Sequence, residues 1–262
     1  MSQTSFTDVA VHFQDRLREH ADTNETTGMI DKELMSSLRS AGLLNLVTPK
    51  LYGGQEVSFS SLSEVISTLA EGCMSTAWVA AVGNVHNWMA TGFSGAAQEE
   101  YFANQGVFSS ASFAPTGRAV MQDDGLIANG TWSFLSGVDH AQWVFLSGLV
   151  SESVDARPKG PWFMMIPREE IVVDDESWHV VGMAGTGSKD VTLNNVFVPI
   201  HRAAHLPSLM LNQGPGHGIH GGDLFHSPFH AALIAILASP INGAGRGALA
   251  ARPHAGAAPP RH

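Results

Sequence analysis

The sequence predicts an α+β protein, helical in its N-terminal part and β-rich in its middle. Three observations carry that expectation. Apolar residues recur at helical spacing as far as residue 105; short β-rich runs separated by turn signals follow; and a stretch rich in glycine, proline and histidine then leads into a last apolar segment. The expected divisions are a helical domain at 1–104, a central β domain at 105–210, a linker at 211–230, the start of a second helical region at 231–250 and a tail at 251–262.

Val9, Phe13 and Leu17 mark the first helix, and Leu34, Leu38 and Ala41 a second that Gly42 stops. From Ser61 to Ala70, Ser61 and Glu64 read as a capping box ahead of the stripe Leu62, Val65, Ile66 and Leu69, with Gly72 as the end signal. Ser75 to Ala90 places Trp78, Val82 and Val85 on one face, with His86 close beside it. The β-rich runs are VFSSAS, RAVM, the Asp124-Gly125 turn, LIANGTWSF, WVFLSGLV, PWFMMIP, IVVDD, WHVVGM and VTLNNVFVP. Such closely spaced runs suggest an antiparallel sandwich or barrel. FHAALIAILA reads as the start of a buried helix, and ARPHAGAAPPRH, which has no apolar period, as disordered.

Composition narrows the function. The 262 residues, 44% of them hydrophobic, can bury a substantial core. Fourteen Lys and Arg against 24 Asp and Glu give a formal charge of −10, which leaves no basic stripe for a nucleic acid backbone. The single cysteine, Cys73, excludes an internal disulfide framework and fits a reducing compartment, read as the cytoplasm. The N-terminus lacks a signal-peptide pattern, and the longest apolar run, Ala231 to Ala238, is far short of the roughly 20 residues that span a bilayer. No membrane partner is expected.

Three apparent motifs carry little. Gly243, Gly245 and Ala248 match a loose dinucleotide fingerprint, and the apolar run ahead of them could pass for a strand, but the sequence ends 14 residues after Ala248, short of the acidic residue about 20 positions on that the fingerprint needs. The histidines at 217, 220, 226 and 230 have no cysteine or carboxylate in metal-ligand spacing, so they read as loop residues and no metal is expected. Ser133, Ser136, Asp139 and His140 hint at a hydrolase, yet no GxSxG elbow is present.

What remains is HNW at 86–88, SSASFAPTGRA at 109–119, WSFLSGVDHAQWVFL at 132–146 and WHVVGMAGTGSKDVTLNNVFVP at 178–199. Together, and in this order, they resemble the oxygenase component of two-component flavin-dependent monooxygenases of the p-hydroxyphenylacetate and secosteroid phenol hydroxylase type. Those enzymes share the acyl-CoA dehydrogenase fold, and the resemblance covers residues 5–250. It implies hydroxylation of a phenolic or other aromatic substrate by O2 and reduced FMN or FAD, delivered by a separate NAD(P)H-dependent flavin reductase.

The resemblance also implies roles for single residues. Phe134 would lie along the flavin ring and Ser136 would face flavin N5, where a hydroxyl can hold the N5 proton in place. Ser112 would sit near both flavin and substrate. His86 would contact the substrate hydroxyl as a base, and Trp78 would wall the substrate pocket. Trp178 with Thr186 and Ser188 of the GTGS turn would pack near the flavin and its phosphate.

Family members continue past SPINGAGRGALA into a long helical bundle that supplies further flavin contacts and most of a homotetramer interface. This sequence turns instead to ARPHAGAAPPRH, so a C-terminally truncated member, impaired in activity or a non-catalytic remnant, is the expectation. An acyl-CoA dehydrogenase proper, oxidising a thioester with FAD, is the alternative. Ser112-Phe113-Ala114-Pro115 stands where those enzymes carry a Thr-Glu-Pro pattern, which argues against it.

Overall fold

A computed structural model describes residues 5–251. The helical part begins with α1 (Phe6–Thr27), capped reciprocally by Ser5 and Asp8, and α2 (Lys32–Ser40), capped by Asp31. The third helix, α3 (Phe59–Ala70), starts earlier than the sequence suggests. Its N-cap is Ser58, whose hydroxyl accepts from the Ser61 amide, so the capping box expected at Ser61 and Glu64 is not the one used. Phe59 explains the shift, because its ring meets Trp88 edge-on at 5.2 Å and draws another turn of helix onto the core.

Helix α4 (Met74–Ala90) is the hub of this half and is buried almost throughout. Asn84 fixes it there: its side-chain amide donates to the carbonyls of Leu43 and Ala80, and its carbonyl accepts from the Leu46 amide. A helix buried on every face needs such internal partners, since no water can satisfy its polar groups. A short helix, α5 (Gly95–Tyr101), completes the N-terminal part.

The β half is one seven-stranded sheet: β1 (Ser109–Gln122), β2 (Gly125–Leu135), β3 (Trp143–Ser151), β4 (Gly160–Pro167), β5 (Val172–Asp174), β6 (Lys189–Pro199) and β7 (Ala203–His205). Their spatial order is β5-β6-β2-β1-β3-β4-β7. Antiparallel pairing dominates as expected, with one departure: β1 and β3 run parallel, Ser109 opposite Trp143, so the sheet is mixed. VFSSAS and RAVM belong to a single strand with a register shift between Ser112 and Gly117. WHVVGM is not a strand; its Val180 and Val181 stand in solvent with no ladder partner.

Beyond the sheet lie α6 (Leu206–Met210), a run of turns, and α7 (Phe229–Ala250). Among the described residues, α7 alone is long and apolar enough to cross a membrane. Here it packs on α3: Ser239 meets Ser63 at 2.7 Å and accepts from the Ser67 hydroxyl at 3.0 Å, and a Cβ on Gly243 would fall 2.0 Å from the Ser67 carbonyl. Gly243 and Gly245 both lie inside this helix, which removes the dinucleotide reading. The tail expected to be disordered falls, beyond residue 251, outside the described residues.

Candidate functional site

A cavity of about 160 Å³ opens where α4, the sheet and α7 converge. Helix α4 contributes Trp78, Val82, Val85 and His86; β1 contributes Ala111 and Phe113; the end of β2 contributes Phe134 and Ser136; and α7 covers it with Leu233 and Leu237. The lining is apolar save for His86, Ser136 and the Trp78 indole nitrogen. An apolar pocket with a few convergent polar groups is the usual form of a small-molecule site.

His86 is buried, 5% exposed. Its Nδ1 lies 2.8 Å from the Ser109 carbonyl and must donate to it, which leaves Nε2 as a bare acceptor when the ring is neutral. Burial lowers the imidazole to about 4, against the opposing pull of that carbonyl bond, so the ring is neutral at physiological pH. Behind it Tyr101 donates to Asn87 Oδ1 at 2.8 Å and meets the Ser109 hydroxyl at 2.6 Å, while the Asn87 amide donates to the Leu44 carbonyl at 3.1 Å. Burial raises the Tyr101 phenol well above its ordinary range, so it stays protonated. Asn87 and Ser109 lie inside the HNW and SSAS motifs but carried no role in the sequence reading, and Tyr101 escaped it altogether.

Ser136 is placed by an irregular strand end. Phe134 has φ +67° and Gly137 φ +72°, and between them the Ser136 amide donates to the Phe134 carbonyl at 3.0 Å. Gly137 is required in that conformation, because a Cβ there would meet the Phe108 ring at 2.9 Å. Its amide donates to the Thr186 carbonyl at 2.8 Å and ties this end to the GTGS turn. The positive φ also turns the Phe134 ring outward, 70% exposed, edge-on to Trp178 at 6.1 Å and 90°. Trp178 is held in turn by its indole nitrogen donating to the Ala184 carbonyl at 2.8 Å.

Trp78, Ser188 and Thr186 form one chain of contacts with Ser136. The Trp78 indole donates to the Ser136 hydroxyl at 3.1 Å, Ser136 meets Ser188 at 2.8 Å, and Ser188 meets Thr186 at 2.7 Å. Thr186 and Ser188 are buried; the Ser188 hydroxyl meets Ser136, and the Thr186 hydroxyl meets Ser188 and the Met183 carbonyl. Ser112 donates to the Ser133 carbonyl at 3.1 Å and does not line the cavity. Ser110, which carried no role of its own in the sequence reading, donates to the Ser136 carbonyl at 2.7 Å.

The other motifs resolve without a site. Asp139 pairs with Lys189 at 2.8 Å, and His220 with the Gln98 carbonyl oxygen at 2.7 Å. His217 and His226 meet edge-on at 5.4 Å. Among the described residues, no group of three or more His, Cys, Asp or Glu could hold a metal ion.

Comparison with known proteins fits this geometry. Residues 2–105 match the model of the acyl-CoA dehydrogenase N-terminal domain. The chain is 35% identical over 233 residues to a flavin-dependent monooxygenase oxygenase subunit, HsaA, of Rhodococcus jostii, covering 88% of this chain and 60% of the relative. It is 34% identical to the oxygenase component of an FADH2-dependent resorcinol hydroxylase of Rhizobium, covering 90% of this chain and 58% of the relative. A crystal structure of the HsaA monooxygenase from M. tuberculosis superposes with a TM-score of 0.89 at 32% identity, covering 94% of this chain and 67% of that one. The chain thus spans about 60% of the length of the curated relatives it matches. On these grounds the chain belongs to the family of the oxygenase components of flavin-dependent monooxygenases, built on the acyl-CoA dehydrogenase fold.

Proposed function

We propose that this chain carries the substrate and flavin-ring face of an aromatic hydroxylase that takes reduced flavin from a separate NAD(P)H-dependent reductase in the cytoplasm. The observation that supports it most is one apolar cavity bounded by a neutral histidine with a bare Nε2 and a serine hydroxyl beside an outward-turned phenylalanine. The name of the Rhizobium relative, an FADH2-dependent resorcinol hydroxylase, favours reduced FAD and a phenol.

The residues present suit a flavin. Phe134 and Trp178 offer an aromatic corner open to a planar ring, and Ser136 a polar atom at its edge. Reduced flavin, when bound, supplies the electrons that activate dioxygen for transfer of one oxygen atom. His86, neutral, accepts a hydrogen bond from the substrate hydroxyl at Nε2 and so raises electron density at the ring carbon ortho to it. Val82, Val85, Leu233 and Leu237 exclude water from that contact. No carboxylate lines the cavity among the described residues, which disfavours α-proton abstraction from a thioester.

The test supplies the purified chain with FAD, NADH, a flavin reductase, oxygen and a panel of phenols that includes resorcinol. A product heavier by one oxygen atom, dependent on His86, is the expected result. A chain that binds reduced FAD yet hydroxylates no phenol would defeat the proposal.

A further inference from the structure

The hydrogen bonds around Ser136 have a direction. Thr186 contacts the Met183 carbonyl at 2.9 Å, and a carbonyl only accepts, so the Thr186 proton goes there. Its contact with Ser188 is then a bond only if Ser188 donates, and Ser188, with one proton, must accept from Ser136. Ser136 therefore donates to Ser188. The Trp78 indole, which can only donate, occupies one Ser136 lone pair, and a second is left toward the cavity. One set of proton positions satisfies all four contacts. With Thr186 at 2% and Ser188 at 4% exposure, no bulk water competes for it.

We propose that Ser188 and Thr186 are positioning residues that hold the Ser136 proton away from the cavity, so that Ser136 presents to a bound ring an acceptor and never a donor. Where the cavity is read as a flavin site, the consequence is selection by redox state. N5 of reduced flavin carries a hydrogen and can donate to Ser136; N5 of oxidised flavin only accepts, and would face a lone pair. The discrimination then lies in two residues that need not touch the cofactor.

Removing either hydroxyl frees the relay. In Ser188→Ala the Ser136 proton has lost its acceptor and can turn to the cavity. In Thr186→Val the Ser188 proton has lost its acceptor and can turn to Ser136, which releases the Ser136 proton in the same way. Ser188→Thr keeps the hydroxyl and should keep the polarity.

Two measurements on the full chain separate the relay from the cofactor reading. The first needs no flavin. Among the indole N–H signals of the six tryptophans, that of Trp78 is assigned by its loss in Trp78→Phe. A hydroxyl that donates is the stronger acceptor, so the Trp78 signal should move upfield in Ser188→Ala and Thr186→Val and return in Ser188→Thr, while the other five report that the fold persists. A Trp78 signal unmoved in both variants overturns the proposal. Should Ser188→Ala fail to fold, Thr186→Val, nearly the same in shape, decides alone.

The second measurement titrates oxidised FAD and dithionite-reduced FAD without oxygen, followed by tryptophan fluorescence. The ratio of the oxidised to the reduced dissociation constant should fall about tenfold in both variants, as one hydrogen bond changes hands. An unchanged ratio in variants that bind reduced FAD also overturns the proposal. A wild-type chain that shows the Trp78 shift on mutation but binds no reduced FAD sinks the cofactor reading and leaves the relay standing.

Discussion

His86 and Ser136 reach the same cavity from different halves of the molecule, and they are held by different means. Behind His86 stand a main-chain carbonyl and the Tyr101, Asn87 and Ser109 cluster, all inside the largest packed region. Ser136 hangs from a strand end bent by two positive φ values and takes its polarity from other side chains. A group fixed by main chain and burial keeps one protonation state whatever its neighbours become. A group fixed by a relay of hydroxyls changes character when any member changes. The first wall is rigid chemistry; the second is adjustable.

The largest effect that tests this contrast is on turnover. With His86→Ala, hydroxylation should fall about 100-fold, the upper range for one hydrogen bond to a group that gains charge, while reduced FAD still binds and reducing equivalents escape as hydrogen peroxide. Flavin affinity lost in parallel with product would make His86 a structural residue instead. Product and peroxide assays with the reductase held constant decide it.

Next in size is the pH dependence of stability. In the unfolded chain a histidine titrates near 6.5, whereas burial holds folded His86 near 4. Between those values the unfolded state binds a proton that the folded state does not. Stability is therefore complete above about pH 6.5 and drains away as pH falls toward 4, by about 2 kcal/mol between pH 7 and 5. Urea unfolding of wild type and His86→Gln at both pH values isolates this share, since the carboxylates are common to the two. Equal slopes would mean that the imidazole reaches water, and the rigid wall would not be closed.

A smaller change should follow Tyr101→Phe, which deletes the hydroxyl shared by Asn87 and Ser109 without opening a cavity. The expected destabilisation is about 1 to 2 kcal/mol, with no change in the Trp78 indole signal, because the two networks share no member. A Trp78 shift in this variant would join the walls and end the contrast.

The sequence exposed these two walls unequally. His86 lies on a helix whose apolar spacing is regular, so its neighbours Trp78, Val82 and Val85 follow from helical geometry, and the WSFLSG strand stood out because hydroxyls break an aromatic run. Contacts made across long stretches of chain were hidden. Ser188 meets Ser136 from 52 residues away, and Leu233 and Leu237 close the cavity from farther still. Pairing of β1 with β3 was hidden for the same reason: alternation marks a strand but not its partner. WHVVGM misled because valine-rich hexapeptides favour strands only where a ladder neighbour exists. The capping serine was misjudged by one turn because SFSS offers three candidate hydroxyls, and the choice rests with Phe59 and its contact to Trp88.

The smallest effect concerns Phe134, where adjustability should show as indifference of the fold. Its ring is mostly in solvent and its backbone sits at φ +67°, a region that costs most residues about 1 kcal/mol and glycine almost nothing. Phe134→Gly relieves that strain, adds chain entropy to the unfolded state and forfeits little buried surface, so thermal stability should change by less than about 0.5 kcal/mol. The same change removes half of the aromatic corner that Phe134 forms with Trp178. Reduced FAD should then bind about five- to tenfold more weakly, the scale of one aromatic contact. A variant that melts early would show that the exposed ring supports the strand end. One that melts normally and binds FAD as tightly as wild type would show that the corner is not where the flavin lies.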